Sequence, residues 1–168
     1  MALRVAILTI SDRSSRGERP DLSGPALVTA VNQNGWQVTS THIVPDEITA
    51  IRKILIQWAD ADLADIILTT GGTGFAPRDV TPEATLGIIE RNTPGLAEAM
   101  RSESLKITPH AMLSRAAAGI RKRAIIINLP GSPKAAVENL HTIQAVLPHA
   151  VELLKESPTS EAGHSAVG

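Results

Sequence analysis

Residues 66–85 read IILTTGGTGFAPRDVTPEAT, and this stretch constrains the fold more than any other. Ile66 to Thr70 is short, apolar and β-branched, the composition of a buried strand. Gly71-Gly72-Thr73-Gly74 then removes the Cβ at three of four positions, so the chain can take positive φ and let a ligand approach its main chain. Thr81-Pro82-Glu83 reads as a helix start, with Thr81 as N-cap and Pro82 at the first helical position. Strand, glycine turn, polar loop and helix in this order present free backbone N–H groups to an anion.

Other segments repeat the alternation. Leu3 to Ile10 is a continuous apolar run, the pattern of a strand covered on both faces. A polar loop follows, and Ser23 is expected to cap a helix that carries Leu27, Ala30, Val31 and Asn34 on one face and ends at Gly35. Trp36 to Val44 reads as a second strand. Pro45-Asp46-Glu47 leads into a helix with Ile48, Ile51, Leu55 and Trp58 at helical spacing. Asp65 to Thr70 is the third strand, followed by a helix from Pro82 to about Arg91.

Further on, helices are expected over Leu96 to Leu105 and, as a short piece ended by Gly119, over His110 to Ala118. Arg123 to Leu129 is a fourth buried strand. Ser132 and Pro133 repeat the cap-then-proline start of a helix running toward Leu147, where Pro148 interrupts it before a last turn or two to Glu156. Residues 1–156 are expected to form a single domain, and the small, polar residues 157–168 a flexible tail. The fold class is α/β: a three-layer sandwich with a mostly parallel sheet and helices on both faces. In such sheets ligands bind beyond the carboxyl ends of the strands. The loops leaving those ends, 11–22, 45–46, 71–81 and 130–132, are the polar, glycine-bearing ones, which points to one shared site.

Composition removes several function classes. The chain has 16 Lys and Arg against 17 Asp and Glu, a formal charge of −1, and no cysteine. Without a basic footprint, nucleic-acid binding is not expected, and Trp36, Trp58 and Phe75 are too few for a base-stacking platform. Disulfides, thiolate catalysis and cysteine-held metals are excluded. The N-terminal apolar run is too short to span a membrane and lacks a signal-peptide cleavage pattern, so a cytoplasmic protein is expected. The five histidines show no metal-ligand spacing.

The glycine loop has neither the Lys-Ser/Thr ending of a Walker loop nor the GxGxxG spacing of a dinucleotide fingerprint. A turn without chemistry is the plain alternative, but Thr69, Thr70, Thr73, Arg78, Asp79 and Thr81 crowd polar groups beside it. Asp79 suits a magnesium ion next to phosphates, since Thr81 already fills the cap position. On the residue alone, Asp46 reads as an ordinary helix cap. Ser11 and Asp12 stand equally well for a ligand contact or a solvated loop. Gly131-Ser132 offers a second anion-binding helix start or a simple turn. Phe75 either tucks into the core or walls a flat ring.

Taken together, Ser11-Asp12-Arg13, Asp21-Leu22-Ser23-Gly24-Pro25, Val44-Pro45-Asp46-Glu47, TTGGTGFAPRDVTPEAT at 69–85, Leu113-Ser114-Arg115-Ala116 and Asn128-Leu129-Pro130-Gly131-Ser132-Pro133-Lys134-Ala135 resemble the MoaB/MogA family of molybdenum-cofactor biosynthesis domains, in its adenylyltransferase branch. The resemblance covers residues 4 to about 155. It implies transfer of AMP from Mg-ATP to the terminal phosphate of molybdopterin, with release of pyrophosphate. It also makes Asp46 catalytically important, so that Asp46 and Asp79 become the acidic pair serving Mg²⁺ and catalysis. Gly71, Gly72, Thr73 and Gly74 with Gly131 and Ser132 would then hold phosphates, and Arg78 would assist. Ser11, Asp12 and Arg13 would line the pterin side. A homotrimer is implied, together with partners that hand over molybdopterin and receive the product. Two alternatives stand beside this: a carrier or scaffold that binds molybdopterin or nucleotide without turnover, and the molybdate-insertion step, whose proteins are much longer.

Overall fold

The structure, a computed structural model, describes residues 2–156; the tail expected at 157–168 lies outside the described residues. In chain order the elements are β1 (Arg4–Ile10), α1 (Asp12–Ser15), α2 (Ser23–Gln33), β2 (Gln37–Val44), α3 (Ile48–Asp60), β3 (Ile66–Thr70), α4 (Thr81–Leu86) and β4 (Arg91–Asn92). They continue with α5 (Pro94–Leu105), a 3-10 turn (Pro109–Leu113), β5 (Ala118–Arg121), β6 (Ala124–Leu129), α6 (Pro133–Ile143) and α7 (Leu147–Leu154).

The sheet has six strands in the order β2-β1-β3-β6-β5-β4. The first four run parallel, and the β6-β5-β4 edge is antiparallel. Because side chains alternate across a strand, each central strand feeds two cores. From β1, Val5 and Ile7 point with Ile66 and Leu68 of β3 into a core closed by α2, α5, α6 and α7. Ala6, Leu8 and Ile10 point with Ile67 into a second core, closed by Ile51, Leu55 and Trp58 of α3 and Ala84 of α4. Burial on both sides explains why apolar residues run consecutively through residues 5–8 and 66–68 rather than at alternate positions. This is the expected three-layer α/β sandwich.

The departures are local. The helix expected over His110 to Ala118 is instead the 3-10 turn followed by β5. Gly119 does not end a helix there: it lies in β5, where a Cβ would come within 2.8 Å of the Arg91 carbonyl of the neighbouring strand. The helix expected from Pro82 to Arg91 stops at Leu86, and Arg91 begins β4. Thr81 is inside α4 rather than its N-cap, which is Val80, and its hydroxyl donates to the Gly71 carbonyl at 2.9 Å. Ser23 opens α2 but does not cap it; the Asp21 carboxylate accepts from the Gly24 N–H at 3.0 Å and does that work. Helix α6 ends at Ile143, and Pro148 falls in the first turn of α7, where a missing N–H costs nothing, so it starts a helix instead of interrupting one.

Order β2-β1-β3 means that the chain leaves β1 for one neighbour and returns to the other side for the next. The carboxyl ends of β1 and β3 therefore flank a topological switch point, where open α/β sheets leave a crevice. Among the described residues, no helix is long and apolar enough to cross a membrane.

Candidate functional site

A cavity of about 530 Å³ opens at that switch point, lined by the loops after β1, β2, β3 and β6. Of the residues singled out from the sequence, Ser11, Asp46, Gly71, Gly72, Asp79, Gly131 and Ser132 reach it. Asp12, Arg13, Thr73, Gly74 and Arg78 do not line it. Arg13 is exposed at the surface, Thr73 is buried beneath the loop, and Phe75 is 68% exposed rather than tucked into the core.

Bare backbone forms part of the wall. Gly71 has φ +106° and a Cβ there would collide with the Ile10 carbonyl; Gly72 has φ +67° and a Cβ would strike the Thr81 hydroxyl. Only glycine fits such a path without strain. Gly131 approaches so closely that its Cβ would meet the Gly71 Cα at 3.3 Å, so the loops after β3 and β6 form one surface. Thr70 ties them further by donating to the Pro130 carbonyl at 2.7 Å. Ser132 caps α6 by accepting from the Ala135 N–H, which aims the N-terminus of an eleven-residue helix at the cavity. The Gly71 N–H is spent on the Leu129 carbonyl at 3.2 Å rather than free for an anion, so the feature here that favours an anion is the N-terminus of α6.

Beneath the loop, Asn128 is fully buried and donates to the Thr69 and Thr85 hydroxyls at 3.0 and 2.9 Å, while its Oδ1 accepts from the Ala117 N–H at 3.1 Å. Such a satisfied network fixes β3, β6 and α4 relative to one another. Arg115 holds the far side: it donates to the carbonyls of Gly74 and Asp79 at 2.8 and 2.7 Å and pairs with Glu83. Neither residue was singled out from the sequence for a role. Both stand in motifs that carried the resemblance, and only the fold brings them under the loop.

Three carboxylates face the cavity, and their hydrogen bonds separate them. Asp21 is fully engaged, one oxygen by Thr9 at 2.7 Å and the other by Ser23 and Gly24. Asp46 accepts one bond, from the Asp12 N–H to Oδ2 at 2.8 Å, and Asp79 accepts one, from the Ala76 N–H to Oδ2 at 3.0 Å. Each therefore keeps Oδ1 without a hydrogen-bond partner among the described residues. Burial pushes the Asp46 carboxyl above its ordinary range, opposed by the Asp12 N–H and reinforced by the charges of Asp12 and Asp79. Two half-engaged carboxylates beside an anion-binding surface suit a hard cation that takes its remaining oxygens from phosphate and water. Among the described residues no group of three His, Cys, Asp or Glu is placed to hold a metal ion.

Asp12 and Arg78 lie behind the cavity. Arg78 donates from Nε and Nη2 to the two oxygens of Asp12 at 2.9 and 2.8 Å, and this pairing holds the Asp12 carboxyl below its ordinary range. The Asp46 N–H donates back to Asp12 Oδ1 at 3.0 Å. Both oxygens of the Asp12 carboxylate are thus engaged within the protein, and Asp12 does not line the cavity.

With this geometry in hand, comparison with known proteins is informative. The profile of a family described as a probable molybdopterin binding domain matches residues 6–149. The chain is 43% identical to a protein of Helicobacter pylori named molybdopterin adenylyltransferase, over 90% of this chain and 88% of that one. It is 46% identical to a protein of Dictyostelium discoideum named gephyrin, over 93% of this chain but only 23% of gephyrin's own length. Among solved structures, a molybdopterin biosynthesis enzyme MoaB from Thermus thermophilus superposes with a TM-score of 0.87 at 50% identity, covering 93% of this chain and 98% of that one.

Proposed function

The chain belongs to the family described as a probable molybdopterin binding domain, and we propose that it is a molybdopterin adenylyltransferase. In this reading a terminal phosphate oxygen of molybdopterin attacks the α-phosphorus of ATP. The new P–O bond forms as the bond to the β-phosphate oxygen breaks, giving adenylyl-molybdopterin and pyrophosphate. The observation that carries the proposal is the pair Asp46 and Asp79, each with one carboxylate oxygen that has no hydrogen-bond partner among the described residues, beside a glycine surface and a helix N-terminus in one cavity. Its support from relatives is the adenylyltransferase name of the Helicobacter pylori protein, matched over most of both chains.

Phosphoryl-type transfer needs alignment and charge neutralisation more than covalent help from the protein. Gly71, Gly72, Gly131 and Ser132 supply a fixed concave surface for phosphate oxygens, and the N-terminus of α6 adds a dipole that favours their charge. Asp46 and Asp79 would hold a magnesium ion, which supplies neutralisation of the polyphosphate and of the leaving pyrophosphate. Asp21, with both oxygens engaged, is left to hold the start of α2. ATP as donor, magnesium as the metal, a homotrimer, a cytoplasmic setting and hand-over partners belong to the same proposal and rest on the resemblance to the family.

A carrier that binds molybdopterin without turnover would have no use for the two half-engaged acids. Substitution at Asp79 separates the readings: Asp79→Asn should abolish adenylyl transfer and leave molybdopterin binding within a few-fold of the parent. Near-parental turnover by that variant would remove Asp79 from the metal and with it the basis of the proposal.

A further inference from the structure

Resting on that reading of the site, we infer that Asp12 and Arg78 are positioning residues that brace Asp46, and that neither is a substrate contact. The Asp12 N–H donates to Asp46 Oδ2 at 2.8 Å while the Asp46 N–H donates to Asp12 Oδ1 at 3.0 Å. These reciprocal bonds close a ring between the loops after β1 and β2 and fix both the backbone and the side chain of Asp46. Arg78, from the loop after β3, grips the same Asp12 carboxylate with two bonds, to Oδ2 at 2.9 Å and to Oδ1 at 2.8 Å. Both oxygens of Asp12 accept from protein donors, Oδ1 from Arg78 and the Asp46 N–H and Oδ2 from Arg78, and the Arg78 fork is spent on it.

The consequence is directional. A planar guanidinium bound through two nitrogens fixes orientation as well as distance, which an ammonium on a flexible stem does not. Three segments are thereby joined at one carboxylate, and Asp46, which lines the cavity, keeps Oδ1 without a hydrogen-bond partner among the described residues. Arg78 is 58% exposed at its side chain, and among the described residues its only further ionic contact is Glu47 at 3.9 Å, so its removal leaves both cores untouched.

The test is a cycle of Asp12→Ala, Arg78→Ala and the double variant in the full chain, each first checked for an unchanged melting transition. Misplacing a reacting group by a fraction of its contact distance costs rate, and each single variant should lower kcat by about 10- to 100-fold. KM for ATP and the Kd for molybdopterin should stay within about two-fold, because the brace touches neither substrate. In the Asp12→Ala background, Arg78→Ala should cost nothing more, since its one strong partner is gone. Arg78→Lys, which keeps the charge and loses the fork, should resemble Arg78→Ala. A raised KM for ATP with unchanged kcat, additive losses, or full activity with lysine would each overturn the inference and return Arg78 to a phosphate contact.

A readout independent of turnover keeps this distinct from the activity itself. In Arg78→Ala without any substrate, the backbone amides of Asp12 and Asp46 should exchange with solvent faster than in the parent. Unchanged protection at both overturns the brace even if the enzyme is active. A parent protein that makes no adenylyl-molybdopterin overturns the transfer reading while leaving the exchange result standing.

Discussion

Arg115 donates from Nη2 to the Asp79 carbonyl at 2.7 Å, so a residue 36 positions further along the chain sets where that aspartate stands. The same guanidinium donates to the Gly74 carbonyl and pairs with Glu83 at the start of α4, and the Arg115 N–H donates to the Thr73 carbonyl at 2.8 Å. Both ends of the 74–79 loop are therefore held by one side chain. The loop contributes little apolar burial of its own, with Phe75 outside, and depends on these bonds for its shape.

Arg115→Ala should accordingly destabilise the fold by about 1–3 kcal/mol, the range for losing hydrogen bonds from a charged donor. Turnover should fall further than that stability loss accounts for at temperatures where the chain is folded. Amide exchange in residues 74–80, measured beside the melting curve, checks this: protection there should drop while protection in β1 and β3 is kept.

At Gly71 the backbone itself is the constraint. Gly71→Ala puts a methyl group against the Ile10 carbonyl at φ +106°, and both the clash and the strained conformation oppose folding. A loss of about 1–3 kcal/mol or more is expected, seen as a lower denaturant midpoint at unchanged slope, together with weaker phosphate-ligand binding.

Stability toward acid should depend on Asp65, which is 1% exposed at its side chain. Burial alone would raise its carboxyl, but hydrogen bonds from Arg4 and Lys155 outweigh that and hold it below the ordinary range. A carboxyl depressed in the folded state stabilises above its unfolded pKa of about 3.9, and that contribution is lost as pH falls through the lower folded value. Asp65→Asn should therefore melt lower than the parent at pH 7, with the difference shrinking as the pH falls below about 4. A constant difference across that range would mean that ionisation of Asp65 is not what Arg4 and Lys155 respond to.

These expectations rest on features that the sequence showed to different degrees. β1, β3 and β6 were readable because they are buried on both faces and carry runs of apolar residues, and β2 from the alternation between Trp36 and Val44. The β4–β5 edge was not, since Arg91–Asn92 is two residues long and Ala118–Arg121 is small and short; only pairing to β6 makes them strands. Within the site, Gly71, Gly72, Gly131 and Ser132 carried their backbone roles openly. Residue type and position separated Asp79, suited to a cation, from Asp46, which read alone as a helix cap, but did not show which carboxylate oxygens are engaged. What separates Asp12, Asp21, Asp46 and Asp79 is which oxygens are already engaged: Asp79 and Oδ1 of Asp21 are held by near neighbours in sequence, whereas the partners of Asp12 and Asp46 come from other loops. Arg78 was expected to assist at the phosphates, whereas its pairing with Asp12, 66 positions earlier, was not legible.

The most direct measurement is turnover by the purified chain with molybdopterin, ATP and Mg²⁺, following pyrophosphate release and the mass of the pterin product. The account predicts one pyrophosphate per adenylyl-molybdopterin formed, with product lost when either substrate or the metal is left out. Tight molybdopterin binding with no adenylylated product under those conditions would contradict it, and Asp46 and Asp79 would then be acids of a binding protein.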